Sequence, residues 1–254
     1  MGPAHQSVWR HSTSGDALIY RGAMSTQSNM SKHLRVDPRP QRELDPCELI
    51  APKTQTAKRR VGLLALQGDF DMHRKTVRSL GYDTTEVRTP AELETVDCLI
   101  MPGGESTTMR KLMMHGGLWD AIREFGQRKP IMGTCAGLIL LGKGITERPG
   151  EPTLGLLDVD TSRNAYGRQY HSFRDNGTIS LNGTEEPFEM VFIRAPKITR
   201  IGQDVEILGR YREDVSVVRQ GKIMGLTFHP ELADDNRLHK MFLDMVQRSS
   251  KSST

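Results

Sequence analysis

The sequence predicts an α/β fold of three layers, with helices on both faces of a mostly parallel central β-sheet. Two observations support this fold class. From residue 61 to about residue 150, short apolar runs alternate with segments of helical periodicity, as in βαβ units. The run at 61–67 (VGLLALQ) is apolar without polar alternation, which is typical of a parallel strand buried on both faces.

The first half of this region supplies strands and helices in turn. A strand is predicted at 61–67, and the helix that follows from Asp69 carries Phe70 and Val77 on one side and ends at Gly81. Further strands are predicted at 82–88, 97–101 and 130–132, with helical patterns at 109–113 and 118–125 and a helix that begins at residue 136.

After about residue 150 the pattern changes to short strands separated by turn residues, such as Asn182-Gly183 and Gln220-Gly221. These strands are predicted at 154–159, 178–181, 190–194, 205–211, 215–219 and 223–228, and an amphipathic helix is predicted at 236–246. No repeat and no second domain boundary interrupts the pattern, so we predict one folded domain.

The basic character of the chain resides in its first 60 residues, which hold ten Lys and Arg against five Asp and Glu. The remaining residues hold 25 against 26, so the predicted domain has no electrostatic footprint for phosphates and we predict no nucleic-acid partner. No run approaches the roughly 18 apolar residues of a membrane span, and the first residues show no secretory signal. We expect a cytoplasmic protein that does not engage a membrane.

The three cysteines, Cys47, Cys98 and Cys135, are too few and too scattered for a disulfide framework or a zinc site. We therefore predict a protein of a reducing compartment, and neither a metal nor another cofactor.

The stretch Gly-Thr-Cys-Ala-Gly at 133–137 lies between a predicted strand and a predicted helix. Glycines two residues before and after Cys135 remove the side chains that would collide in a sharp strand-to-helix turn, as in a nucleophile elbow. The helix start favours the thiolate, and the Ala136 N–H is placed to donate to an oxyanion. A buried structural cysteine beside two packing glycines is the alternative that this stretch leaves open.

A thiolate nucleophile needs a base, and His229-Pro230-Glu231 follows an apolar strand. Residues i and i+2 of an extended segment point to one side, so Glu231 is predicted to orient the His229 imidazole as the third member of a triad. Without the cysteine elbow, the same tripeptide would be read as a surface turn.

The segment Pro-Gly-Gly-Glu-Ser-Thr at 102–107 ends one strand and opens a helix. Its two glycines allow the backbone to approach a ligand, and Ser106 is predicted to cap the helix. The alternative is an ordinary glycine turn. Among the other histidines, His73, His115 and His239 are expected to be solvated or packed in helices, and His171 has no paired carboxylate in the sequence.

These motifs together resemble a known family. Gly-Thr-Cys-Ala-Gly with His-Pro-Glu resembles the class I (triad) glutamine amidotransferases, whose sheet is of the flavodoxin-like type. The blocks LALQGDF, PGGEST, GTCAGLILL, RNAYGRQ, FIRAP and FHPEL resemble one branch, the glutaminase subunit of pyridoxal 5′-phosphate synthase (the Pdx2/PdxT family), over residues 61 to 247.

The resemblance implies the function and its residues. It implies hydrolysis of L-glutamine to glutamate and ammonia, with the ammonia delivered to a Pdx1/PdxS synthase subunit of a hetero-oligomer that makes vitamin B6. The residues that it implies are the triad Cys135, His229 and Glu231, an oxyanion hole from Gly104 and Ala136, and a glutamine site from Gly104, Glu105, Ser106, Arg163, Ile193 and Arg194. His171, where the family pattern has an acidic residue, and the long N-terminal extension depart from the pattern.

The domain organisation expected from this resemblance is simple. Residues 1–58 form a disordered basic extension, 59–248 the glutaminase domain and 249–254 a disordered tail. The alternatives are another triad amidotransferase glutaminase, a γ-glutamyl hydrolase with the same triad, or a non-enzymatic regulatory scaffold.

Overall fold

The computed structural model describes residues 59–163, 165 and 172–249. The predicted extension at 1–58 and residues 250–254 lie outside this part of the chain. The described strands are β1 (Arg60–Leu64), β2 (Asp83–Val87), β3 (Cys98–Met101), β4 (Ile131–Thr134), β5 (Gly144–Ile145), β6 (Val159–Ser162), β7 (Ser172–Leu181), β8 (Thr184–Ile193), β9 (Lys197–Ile201), β10 (Glu206–Tyr211), β11 (Asp214–Gln220) and β12 (Ile223–Leu226). The described helices are α1 (Phe70–Ser79), α2 (Pro90–Glu94), α3 (Ser106–His115), α4 (Leu118–Arg128), α5 (Ala136–Leu141) and α6 (Arg237–Ser249), with a 3-10 turn at Pro230–Leu232.

The central sheet has the strand order β2-β1-β3-β4-β12-β11-β10-β7-β8. Strands β2, β1, β3, β4 and β12 are parallel, and β11, β10, β7 and β8 extend the sheet in antiparallel pairs. Because β12 pairs with β4, Leu226 lies opposite Thr134, although 92 residues separate them along the chain. The predicted α/β class with a central sheet is confirmed.

Two apolar cores, one on each face of the sheet, give the fold its three layers. On one face, α3 and α4 bury Met109, Met113, Ile122 and Phe125 against the strands, together with the apolar residues of α5. On the other face, α1 and α6 bury Val77 and several apolar residues of the last helix, namely Leu238, Phe242, Leu243 and Val246. Strands β1, β3, β4 and β12 are therefore buried on both sides, which explains their lack of polar alternation, whereas the edge strand β2 is partly exposed.

The turn chemistry of the sequence matches the observed connections. Asn182 and Gly183 both have positive φ, 51° and 85°, and form the two-residue turn between β7 and β8. Gly81, with φ of 87°, follows the C-terminal cap of α1. Thr89 and Glu92 form a capping box that starts α2, a five-residue helix that the periodicity does not reveal.

The predicted strand at 154–159 is wrong. In the structure β6 begins only at Val159, and the backbone before it bonds to the end of α5: the N–H groups of Leu154 and Leu157 donate to Leu140 O at 2.7 Å and Leu141 O at 2.9 Å. The apolar side chains of Leu154 and Leu157 are buried in the core around α3 and α4, so their pattern reports burial and not strand pairing.

A smaller three-stranded sheet, in the order β5-β6-β9, lies outside the main sheet's hydrogen bonding. The sequence analysis missed β5 and β9, because β5 has two residues and no residue of β9 is fully buried. Within the described part of the chain, none of the helices has the length and apolar character that crossing a bilayer requires.

Candidate active site

Four strand ends bring the predicted site together at one edge of the parallel half. Gln67 follows β1, the segment 102–105 follows β3, Cys135 follows β4 and His229 follows β12. The strand order reverses between β1 and β3, and ligands of open α/β sheets bind at such a reversal, outside the carboxyl ends of the strands. The topology therefore places residues that are far apart in sequence around one point.

Cys135 occupies a strained turn between β4 and α5. Its φ of 50° and ψ of −103° place a non-glycine residue in a backbone region that L residues rarely adopt. Its N–H donates to Leu226 O at 2.9 Å, which ties the turn to β12. A Cβ on Gly137 would lie 2.2 Å from the Met101 carbonyl oxygen, and one on Gly133 would lie 2.6 Å from Gly137 C. Glycine at both positions is therefore a steric requirement of the elbow.

His229 and Glu231 are buried beside the elbow at the end of β12. The backbone N–H of His229 donates to Val191 O at 2.9 Å, and the ring Nδ1 of His229 lies 2.8 Å from Glu231 Oε1. Glu231 reaches the ring from the 3-10 turn that starts at Pro230, not from the extended segment that the sequence predicts. Proline at the first position of that turn fits its fixed φ.

The three side chains form one electrostatic unit. Burial lowers the pKa of His229, but hydrogen bonds with Cys135 and Glu231 and the negative charges of both raise it to about 10. Burial raises the pKa of Glu231, but His73 and His229 together lower it to about 2. At neutral pH these contacts therefore favour an imidazolium on His229 beside an ionised Glu231 carboxylate.

The glycine strap, defined as residues 102–105, lies against the His229 ring. A Cβ on Gly103 would lie 2.3 Å from His229 Cε1, so a side chain there would displace the ring. Gln67, with its amide oriented to satisfy both partners, donates to Glu105 O at 3.2 Å and accepts from Glu105 N at 2.9 Å. The end of β1 thus fixes the strap through hydrogen bonds that do not depend on the glycines.

Glu105, not Ser106, caps helix α3. The Glu105 carboxylate accepts from Thr107 N at 3.1 Å and Thr108 N at 2.6 Å. Burial raises the pKa of Glu105, but these hydrogen bonds lower it to about 2. Ser106 is the first helical residue and is buried, so the prediction that it caps the helix is wrong. A carboxylate at this helix start also interacts favourably with the helix dipole.

Arg163 approaches α3 from the end of β6. Its guanidinium donates to Thr107 Oγ1 at 3.2 Å and pairs with Glu147 at 3.3 Å and Glu151 at 3.7 Å. Glu151 also pairs with Arg110 at 2.5 Å. The guanidinium therefore lies beside the first turn of α3 with its charge balanced by two carboxylates.

The end of β8 borders the elbow on another side. Ile193 O lies 3.8 Å from Cys135 Sγ. Arg194 follows with φ of 45° and is exposed. Ala165 N donates to Ala195 O at 3.3 Å, which links the segment after β6 to the end of β8. A backbone carbonyl next to the thiol can accept a hydrogen bond from a bound polar molecule.

Comparison with known proteins decides the family. The model of the SNO glutamine amidotransferase family matches residues 63–248. A protein of Oenococcus oeni named pyridoxal 5′-phosphate synthase subunit PdxT is 46% identical over 75% of this chain and 98% of its own length. The chain belongs to the SNO glutamine amidotransferase family.

Further relatives and solved structures agree with this membership. A PdxT subunit of Thermosipho africanus is 42% identical over 74% of this chain and 100% of its own. A crystal structure of a glutamine amidotransferase is 44% identical, covers 74% of this chain and 98% of its own, and superposes with a TM-score of 0.69. A structure of PurLQS from Thermotoga maritima shares only 19% identity at a TM-score of 0.54, over 76% of this chain and 97% of its own, and supports the fold alone.

The residues expected from the family's pattern fall into two groups. Cys135, His229 and Glu231 adjoin one another, with Gly104 and Ala136 in the strap and the elbow that flank them. The residues expected to hold glutamine come from the start of α3, the end of β6 and the end of β8, namely Glu105, Ser106, Arg163, Ile193 and Arg194. His171 and most of the RNAYGRQ block lie outside the described residues.

Two buried residues behind the triad were not predicted from the sequence. His73 on α1 and His239 on α6 are fully buried, and His73 Nε2 lies 3.3 Å from Glu231 Oε2. The signal was available: His73 shares the apolar face of α1 with Phe70 and Val77 at spacings of three and four residues. A histidine on an apolar helix face next to a strand end is a candidate for a buried polar contact.

Proposed function

We propose that this chain is the glutaminase subunit of a pyridoxal 5′-phosphate synthase, with Cys135 as nucleophile, His229 as acid and base, and Glu231 as the residue that orients it. The observation that supports this most strongly is the 2.8 Å contact between His229 and Glu231 beside a cysteine held in an elbow. Membership of the amidotransferase family is a second, independent support. The assignment to a pyridoxal 5′-phosphate synthase rests on the names of the relatives.

The reaction follows from these groups. The Cys135 thiolate attacks the side-chain amide carbon of glutamine, and the N–H groups of Gly104 and Ala136 stabilise the oxyanion. The His229 imidazolium gives its proton to the leaving nitrogen, so ammonia departs and a γ-glutamyl thioester remains. The neutral imidazole then takes a proton from water, whose oxygen attacks the thioester and releases glutamate and the thiolate.

Substrate binding uses the remaining predicted residues. The Arg163 guanidinium is a planar fork suited to the α-carboxylate of glutamine, and it lies next to the start of α3 that Glu105 caps. Ile193 O, 3.8 Å from the sulfur, accepts a hydrogen bond from the bound substrate, with Ser106 and Arg194 completing the site. Glu147 and Glu151 form ion pairs with Arg163 and balance its charge.

The synthase partner is a Pdx1/PdxS-type subunit, and the isolated chain is a poor glutaminase. Ammonia that escapes into bulk water does not reach its acceptor, so we expect glutaminase activity to depend on docking to the synthase. Gly104 is exposed, with φ of 145°, and glycine allows its peptide to reorient at low steric cost to complete the oxyanion hole.

Residues 59–248 form the glutaminase domain, and the free thiols of Cys98 and Cys135 fit a reducing, cytoplasmic compartment.

The test measures glutamate release by the purified chain with and without a purified PdxS-type synthase. We expect the synthase to raise the rate roughly tenfold or more, in the range typical of coupling between sites. Cys135→Ala should lower the stimulated rate by at least about a thousandfold, because the nucleophile is lost. Cys98→Ala is the matched control, because burial raises the pKa of this fully buried thiol and keeps it protonated.

Three outcomes would contradict parts of the proposal. An active Cys135→Ala protein would exclude the triad, and equal rates with and without the synthase would exclude activation by docking. Faster cleavage of γ-glutamyl peptides than of glutamine would favour a γ-glutamyl hydrolase.

A further inference from the structure

Two imidazoles lie in the interior directly behind the triad. His73 comes from α1 and His239 from α6, and both are fully buried. Their rings are 5.1 Å apart between centroids, and His73 Nδ1 lies 2.9 Å from His239 Nε2. Burial lowers the pKa of both, to about 3 for His239, so both rings are neutral near pH 7. Burial of two polar rings among apolar residues is energetically costly unless each ring has a hydrogen-bond or ion-pair partner.

His73 Nε2 lies 3.4 Å from Thr134 Oγ1, close enough to share a hydrogen bond with it. Glu231 Oε1 faces His229 Nδ1 at 2.8 Å, and its Oε2 faces His73 Nε2 at 3.3 Å. The second contact is within ion-pair distance but is not aligned as a hydrogen bond, and Oε2 has no aligned donor among the described residues. The side chains of His229, Glu231, His73 and His239 therefore form a row of contacts that extends from the active site into the core.

The proton positions along this chain can be assigned from the acceptors. If His73 Nε2 lacked a hydrogen, it could accept from the Thr134 hydroxyl, but its lone pair would also face the ionised Glu231 carboxylate. Its Nδ1 would then have to donate to His239 Nε2, leaving a hydrogen on His239 Nδ1, which is buried without a partner. Both features are unfavourable. In the opposite arrangement His239 Nε2 donates to His73 Nδ1, His73 Nε2–H faces Glu231 Oε2 and Thr134 Oγ1, and His239 Nδ1 is left as an acceptor without a partner.

We infer that His73 is a positioning residue of the glutaminase reaction, which fixes the second oxygen of Glu231 and is itself held by His239. The inference rests on the proposed function, because Glu231 acts only through His229. Glu231 Oε2 is fully enclosed, so loss of the donor leaves a buried carboxylate oxygen without any compensating hydrogen. The carboxyl group then protonates or rotates, and His229 loses the partner that fixes its ring.

Several charged and titratable groups surround Glu231 and define how pH acts on it. His229 lies on the same turn, His73 faces it from α1 and His239 from α6. Asp69 lies just before α1, and Cys135 contacts the far side of His229. Among the described residues, no three such side chains are placed to hold one metal ion.

The experiment compares His73→Gln with His73→Asn, two amides that differ in reach. The Gln amide nitrogen can occupy the position of His73 Nε2, whereas the Asn amide ends near the position of Nδ1 and cannot contact Glu231. Glutamate release by the full chain with a PdxS-type synthase is measured from pH 5 to 10, together with Tm. His115→Asn is the control, because this histidine is exposed at the end of α3.

We expect His73→Asn to lower kcat by about tenfold to a hundredfold, the usual effect of removing a group that orients a functional side chain, with KM changed less than about twofold. The acidic limb of the pH–rate profile of His73→Asn should move to higher pH, because burial of the carboxyl group without the His73 N–H raises the pKa of Glu231. His73→Gln should keep most of kcat and the wild-type pH profile.

Equal activity of His73→Asn and wild type would overturn the inference, as would losses in both variants that follow Tm and leave the pH profile unchanged. If His73→Asn does not fold, His239→Gln is compared with His239→Asn in the same assays. This pair tests the contact between His239 Nε2 and His73 Nδ1, which is one residue further from Glu231. Equal kcat values and pH profiles in that pair would also overturn the inference. Absence of glutamate release by the wild-type chain with the synthase would instead contradict the proposed function.

Discussion

Cys98 and Cys135 carry the same side chain, and their surroundings give them opposite chemistry. Cys98 is fully buried within β3, where burial raises the pKa of its thiol. Cys135 lies at a strand end, in a turn that exposes its sulfur to His229 and to the Ile193 carbonyl. The sequence could separate the two, because only Cys135 has glycines two residues away on each side.

The residues behind the triad were harder to predict than the triad itself. His73 and Glu231 are 158 residues apart, and no local pattern joins them. Only the pairing of β12 with β4 and the packing of α1 and α6 on the same face bring them together. Local motifs such as the elbow can be predicted from the sequence, whereas contacts between distant helices and strands depend on the tertiary fold.

A residue-scale prediction concerns Arg163. Arg163→Ala should raise KM for glutamine while kcat changes little, because in the proposed binding mode the guanidinium holds the α-carboxylate far from the scissile amide. A charge-assisted hydrogen bond of this kind is worth on the order of 1.5–3 kcal/mol, so KM should rise by about tenfold to a hundredfold. Steady-state kinetics with the synthase present measures both constants.

Arg148→Ala is the matched control for Arg163. Arg148 also pairs with Glu151, at 3.5 Å, but its side chain is 58% exposed and it lies in the segment between β5 and β6. Its removal should leave KM within about twofold of wild type, as expected of an exposed ion pair. An unchanged KM in Arg163→Ala would remove this residue from the glutamine site.

At the scale of elements, the catalytic geometry depends on the close packing of β3, β4 and α5. Gly137 allows the first turn of α5 to approach the Met101 carbonyl at the end of β3, and Gly133 allows β4 to approach Gly137. The alternation of strands and helices predicted these three elements. Short or half-exposed elements such as α2, β5 and β9 were missed, because they have too few buried residues to produce a period.

The elbow gives an element-scale prediction. Gly137→Ala should lower stability by roughly 1–3 kcal/mol, since its Cβ would overlap a backbone oxygen that cannot move independently of β3. At roughly 2–4 °C per kcal/mol, Tm should fall by several degrees, and glutaminase activity should fall further because Cys135 shifts with α5. Thermal unfolding and glutamate release measure the two effects.

Gly116→Ala is the control for Gly137→Ala. Gly116 ends α3 with φ of −86°, and a Cβ there would meet only the Leu112 carbonyl oxygen, at 3.3 Å. Its Tm should stay close to that of wild type. A Gly137→Ala protein with wild-type Tm and activity would show that the elbow tolerates a side chain at this position.

At the scale of the whole molecule, the central sheet carries most of the candidate site. Its parallel half supplies the ends of β1, β3, β4 and β12, its antiparallel half supplies the end of β8 beside the elbow, and the smaller sheet supplies the end of β6 with Arg163. The parallel half could be predicted from its apolar runs. The long hairpin of β7 and β8 was underestimated, because much of β7 is exposed or half-exposed and carries charged residues that do not look like a strand.

The last prediction concerns the basic extension. We propose that residues 1–58 are dispensable for folding and catalysis, and that deletion of residues 1–57 leaves Tm within about 2 °C of the full chain, a change below 1 kcal/mol. The family model starts at residue 63, and the PdxT subunit of Oenococcus oeni aligns over 98% of its length with only 75% of this chain. The truncated chain keeps Arg59, whose guanidinium pairs with Asp97 at 3.2 Å at the start of β3. Thermal unfolding and synthase-stimulated glutamate release should therefore match those of the full chain, and a loss of more than about 5 °C would show that the extension packs on the domain.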